Sequence, residues 1–156
     1  MENYSFFTDE LEAANHVIEV LSNVLAVNTI FIASNDGSTN RILRAFNREE
    51  LLVNEGLELP LQDTYCGLVS GKAAYVAHTS EHPSTCMLPV TENMGDHAFI
   101  GFPVNLRSGQ IVGTICALHT PGYIYSKTEV QSMYSMAILM SHVAELQHQT
   151  DSPIVR

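Results

Sequence analysis

Positive charge is scarce in this sequence. Seven lysines and arginines stand against seventeen aspartates and glutamates, a formal net charge of -10 over 156 residues. A chain with so few cations has no set of groups to neutralise phosphates, which argues against nucleic acid and acidic membrane surfaces as partners. Charge of either sign is thin, at 15% of residues against 46% hydrophobic. That is a globular composition in which part of the apolar surface is reserved for a partner. The three cysteines, Cys66, Cys86 and Cys116, form no CxxC pair. An odd number without a secretory leader reads as reduced thiols in the cytoplasm. The opening MENYSFFTDE has neither the basic segment nor the apolar core of a signal peptide. No apolar run is long enough to span a bilayer. Internal repeats and low-complexity linkers are absent. So are GxGxxG, GxxxxGK[ST] and HExxH, which removes the familiar nucleotide and zinc-protease fingerprints without excluding a cyclic nucleotide.

What the sequence does have centres on DHAFIGFPVNLRSGQIVGTICALHT, residues 96–120. Two nearly continuous apolar, β-branched and aromatic runs flank a polar Arg-Ser-Gly turn, the signature of an antiparallel hairpin covered on both faces. Gly113 marks a point where a ligand or another backbone comes close. Upstream, Asp9 with Glu12 three residues on opens a helix, and Leu11, Ala14, Ile18, Leu21 and Leu25 form its stripe, widened by Val17, Val20 and Val24. Strands follow at 27–34 and 40–47 around Asn35-Asp36-Gly37-Ser38, the second of mixed polarity as at an edge. Residues 48–55 read as a loop or short helical turn. Asp63 or Thr64 caps a short helix over 65–70 that Gly71 ends, and 73–78 is a short strand. Residues 79–95 read as a long loop without a clear element, of the kind that acts as a lid. A capping box at Ser126 and Glu129 opens the last helix, which runs to about residue 147 before fraying over 149–156. Val130, Met133, Ala137, Met140 and Ala144 make one stripe, and Met136, Leu139, Val143 and Leu146 a second.

This order predicts an α+β domain over 1–156 with its core at 9–147. A central antiparallel sheet of about five strands carries the long terminal helices on one face, with the short helix and long loop over a pocket on the other. The terminal helices have more apolar width than one sheet contact needs, which points to a homodimer through them.

LPLQDTYCGLVSGKAAYVAHTSEHP, HAFIGFPVNLRSGQIVGTICALHT and YSKTEVQSMYSMAILMSHVAEL resemble the segments of a GAF domain, over residues 9–147. The resemblance implies a cavity between the sheet, the short helix and the long loop. In length and content the chain is similar to free-standing bacterial signalling GAF proteins, including those that bind nitrate and modulate a sensor histidine kinase. It implies a cytoplasmic small-molecule or small-anion sensor with a signalling protein as partner. A thiol-dependent free methionine-R-sulfoxide reductase and a dimerisation module without ligand are the alternatives.

The candidate ligand-binding residues are Phe46, Tyr65, Cys66, Gly67, Leu68 and Phe99. The first turn of the short helix offers N–H groups to an anion. Gly67 would let a ligand approach the backbone, and Phe46, Leu68 and Phe99 would form an apolar rim. Each also reads as an ordinary cap or core residue. Cys66 is either a thiol with lowered pKa or a buried apolar side chain. His78, His82 and His97 would meet near the pocket only if the loop brought them there. No metal, cofactor or catalytic set is assigned, and no Glu92–Asp96 acid–base pair is defined by spacing.

Overall fold

The computed structural model describes residues 9–151. Helix α1 spans Glu10–Val24, and its Asp9 carboxylate accepts from the Glu12 N–H at 2.9 Å. Its buried face is Ala13, Ala14, Val17 and Leu21, while Leu11 and Val24, placed on the stripe by sequence, face outward. Strands β1 (Thr29–Asn35) and β2 (Thr39–Asn47) form the first hairpin, and β3 (Glu58–Pro60) adds to its outer side. Strand β4 is only Ala74–Val76. Strands β5 (Ala98–Asn105) and β6 (Ile111–His119) form the expected central hairpin, and α3 runs over Lys127–Asp151. Its capping box is closed both ways: Glu129 N–H to the Ser126 hydroxyl at 3.1 Å, and Ser126 N–H to Glu129 at 2.8 Å. Helix continues through residues 149–151, where fraying was expected; residues 152–156, like 1–8, lie outside the described residues.

The sheet has six strands in the order β3-β2-β1-β6-β5-β4, every pair antiparallel. The extra strand is β3, whose three residues carry no period for a sequence to show. Side chains alternate across the sheet. Ile30, Ile32, Ile100, Phe102, Ile115 and Ala117 meet α1 and α3. Phe31, Ala33, Phe99, Cys116 and Leu118 point to the opposite face. Gly113 is required by the sheet itself, since a Cβ there would sit 2.4 Å from the Ala33 carbonyl oxygen.

That opposite face is covered by irregular chain. The expected helix over 65–70 is instead two 3-10 turns, Leu61–Asp63 and Tyr65–Leu68, neither with a side-chain cap. The stretch 79–95 is not elementless: it contains α2, Pro89–Met94, begun by proline at its first turn.

Candidate functional site

Between this irregular layer and the sheet lies a cavity of about 300 Å³. Its floor is Phe31 of β1, Asn40 and Ile42 of β2 and Leu118 of β6. Thr64, which joins the two 3-10 turns, with Tyr65 and Cys66 of the second forms one wall, and Val90, Asn93 and Met94 of α2 another. Leu52, Val53, Asn54 and Leu57 close the third side. Asn54, Leu57 and Asn93 are exposed and mark the mouth, between residues 52–57 and α2.

The third wall is fastened to β2. The Asn47 side chain receives the Leu52 and Val53 N–H groups at 3.1 and 3.3 Å and donates to the Val53 carbonyl at 2.9 Å. Gly56 N–H and the Leu57 carbonyl pair with Ile42. The α2 wall is fastened by a ladder of buried threonines. Thr91 Oγ1 donates to the Thr85 carbonyl at 2.7 Å, and Thr85 Oγ1 to the Thr79 carbonyl at 2.6 Å. Since the Thr91 proton is thus committed, the Tyr65 hydroxyl is the donor in its 2.6 Å bond to Thr91. Tyr65 therefore joins the cavity wall to the ladder.

Asn40 is the unusual member of the floor. It is 3% exposed, and its Oδ1 is buried without a hydrogen-bond partner. Buried polar atoms are almost always paired, and one left unpaired costs free energy. Cys66 and Cys116 are free and buried, with sulfurs 3.9 Å apart. The hydrogen bond with Cys116, aided by the Thr114 hydroxyl at 3.2 Å, draws Cys66 below the ordinary thiol range, while burial holds Cys116 well above it. Cys86 lies on the α2 side, outside the cavity lining.

Of the residues singled out by sequence, Tyr65 and Cys66 line the cavity. Phe99 is fully buried behind them, its ring 5.3 Å from that of Tyr65, and Leu68 packs against the same cluster. Gly67 is exposed and turned away; a Cβ there would meet the Leu61 carbonyl oxygen at 2.7 Å, so its small size serves the paired 3-10 turns and not the approach of a ligand. Phe46 is on the other face of the sheet, against the helix-side core and beneath Arg48, whose guanidinium holds the Ser22 and Leu25 carbonyls at the C-terminal end of α1. The reason is a β-bulge: Ala33 pairs with Ile42, but Ile32 pairs with Arg44. Leu43 is the extra residue, and after it every side chain of β2 changes face.

None of the histidines lines the cavity. His78 pairs with Asp96 at 3.0 Å, and Glu81 stands close to both. The hydrogen bond to Asp96 raises His78 above the ordinary histidine range. Burial pulls Asp96 upward, but the bonds from His78 and the Ser80 N–H outweigh it and hold the carboxyl low. His78 and Asp96 bracket residues 79–95, so the pair clasps the two ends of that segment. Asn40, the wall at 52–57 and the threonine ladder carry no local sequence signal beyond a threonine every six residues, at 79, 85 and 91.

An antiparallel sheet with long helices on one face and a roofed chamber on the other is the layering expected from the sequence segments, with six strands in place of about five. The family model for the GAF domain matches residues 9–143. The chain belongs to the GAF domain family. GAF domains are in general small-molecule-binding modules of signalling proteins. Among solved structures, the GAF domain/HD domain protein from Geobacter sulfurreducens is similar with a TM-score of 0.74 at 13% identity, covering 95% of this chain and 100% of that one. The GAF domain of the Acinetobacter phosphoenolpyruvate-protein phosphotransferase gives 0.71 at 13% identity, over 93% and 87%. The chromophore-binding domain of an unusual bacteriophytochrome from R. palustris gives 0.69 at 11%, over 92% of this chain and 58% of that one. At such identities the likeness shows the fold alone. Among curated proteins no match was found. No helix among the described residues is long and apolar enough to cross a membrane.

Proposed function

We propose that this GAF protein is a cytoplasmic small-molecule sensor, in which a ligand in the loop-side cavity biases the terminal helices and a partner such as a histidine kinase reads them. The observation that carries this reading is the cavity of about 300 Å³ with the unpaired Asn40 in its floor. A module serving only dimerisation would be expected to fill that space.

A packed route supports the output half of the reading. Tyr65 touches the ligand space and holds Thr91, and the ladder ends at Thr79, whose Oγ1 receives the His97 N–H at 3.0 Å. The next residue, Ala98, has its carbonyl bonded by the Tyr125 hydroxyl at 2.9 Å, immediately before the α3 capping box. Sensing requires that the ligand favour one of two arrangements along this route. Leu11, Val24, Tyr134 and Ile138 stay exposed on the terminal helices, which supports coverage by a second copy or by the partner.

Nitrate is the ligand suggested by the resemblance to free-standing sensors. Among the described residues no lysine, arginine or histidine lines the cavity, so nitrate would depend on neutral donors alone. The thiol-reductase reading has Cys66 in the wall, and turnover of free methionine sulfoxide that disappears in Cys66→Ser would favour it. The sensor reading is tested by calorimetric titration of small anions and neutral metabolites, followed by hydrogen exchange. Saturable binding with slowed exchange in residues 85–94 and at the start of α3 is expected. Absence of binding at millimolar concentrations across both classes would overturn it.

A further inference from the structure

The lining of the cavity also defines the kind of ligand, an inference that rests on the sensor reading above. Among the described residues, none that lines the cavity is Asp, Glu, Lys, Arg or His. A charged ligand would give up its hydration shell and gain no counter-charge. The polar groups set deep in the wall are largely committed. The Thr64 hydroxyl donates to the Leu61 carbonyl at 2.8 Å, and the Tyr65 hydroxyl to Thr91. The Asn40 side chain lies close enough to Cys66 to help draw its thiol down, and its Oδ1 is the atom buried without a partner. What is left over is thus an acceptor, Asn40 Oδ1, closed to water from the chamber as well as from bulk, so a donor reaches it as the Asn40 side chain turns into the chamber. An acceptor is satisfied only by a donor.

We propose that the cavity takes an uncharged, largely apolar molecule bearing one N–H or O–H donor directed at Asn40, and that Asn40 is the specificity-determining residue. The body of the ligand lies against Phe31, Ile42, Val53 and Leu118, which are apolar and nearly or fully buried. Size narrows the class further. An engineered apolar cavity of about 150 Å³ holds benzene. On that scale a space of about 300 Å³ admits a small bicyclic heterocycle of roughly ten heavy atoms. Nitrate and phosphate esters present lone pairs to Oδ1 and bring charge to an uncharged wall, so both fall outside the class.

The test titrates the full chain, wild type and Asn40→Leu, with four probes: indole, benzothiophene, sodium nitrate and indole-3-carboxylate. Benzothiophene has the size and shape of indole without its N–H. Calorimetry gives affinity, and amide chemical shifts at Phe31, Ile42 and Val53 place the probe. Indole is expected to bind wild type about tenfold or more tighter than benzothiophene, the consequence of leaving a buried acceptor unpaired. Asn40→Leu should bring that ratio to near one while keeping benzothiophene binding, with the two anions weaker than either neutral probe throughout. The wild-type ratio needs no variant, so the test stands if Asn40→Leu fails to fold. A wild-type ratio near one, or an anion binding more tightly than indole, would overturn the ligand class and leave the sensor reading in place. No saturable binding by any probe up to its solubility would likewise overturn the ligand class, while the sensor reading stands or falls with the wider titration of anions and metabolites.

Discussion

The two faces of the sheet are covered by different kinds of chain, and they are packed to different degrees. On one face, α1 and α3 lay regular stripes into the ridges of β1, β5 and β6, and Val17, Leu21, Met133 and Ala98 are fully buried there. On the other, two 3-10 turns, the segment 48–57 and the six-residue α2 roof the same strands. Short irregular pieces fix their backbone groups to particular side chains, as at Asn47 and the threonine ladder. They therefore cannot slide to fill space as a long helix can, and a chamber remains. The helix face confers stability and the loop face leaves room for a ligand.

The contrast makes Leu21→Ala the most damaging of the substitutions considered. It empties a close-packed site and should cost about 3 kcal/mol in urea denaturation. Val53→Ala, on the wall of an existing cavity, should cost only about 1 kcal/mol, because fewer contacts are there to be lost. Equal losses would mean that the loop face is packed as tightly as the helix face. Asn40→Leu should move the other way and stabilise the ligand-free protein by about 1 kcal/mol, since it removes an unpaired acceptor and adds apolar volume. Destabilisation of that size would show that Asn40 is already satisfied.

The same difference governed what could be read from the sequence. Both long helices, their Asp9 and Ser126 caps and the two hairpins rest on local signals: helical spacing, capping boxes and glycine turns. The loop face rests on long-range pairing. Thr85 and Thr91 matter because of what folds over them, and Pro89–Met94 is too short to establish a helical period. Phe46 was misplaced for a sharper reason. Strict alternation puts it on the face of Asn40 and Ile42, and a single bulged residue at Leu43 reverses that parity.

Two smaller effects probe the roof of the chamber. Tyr65→Phe removes the proton donated to Thr91 and should cost about 1 kcal/mol. Exchange should quicken in residues 85–94 and stay unchanged in α1; uniform acceleration would mean that Tyr65 supports the whole core instead. The smallest effect concerns the His78–Asp96 clasp, partly exposed and weakened by solvent. The raised His78 contributes fully below its unfolded value of about 6.5 and loses its contribution as pH rises through the higher folded value. The lowered Asp96 contributes above about 4 and loses its share as pH falls through the folded value. Protection of residues 79–82 should therefore be greatest between about pH 4 and 6.5 and lose that dependence in His78→Ala. A profile unchanged by the substitution would remove the clasp.

The chamber itself is open to a test that needs no knowledge of the ligand. Crystals of the ligand-free protein under xenon pressure should show bound xenon between Phe31, Ile42, Val53 and Leu118, because an apolar void of this size admits the gas. Density at that position from the protein's own side chains, with no xenon site on the loop face, would contradict the account.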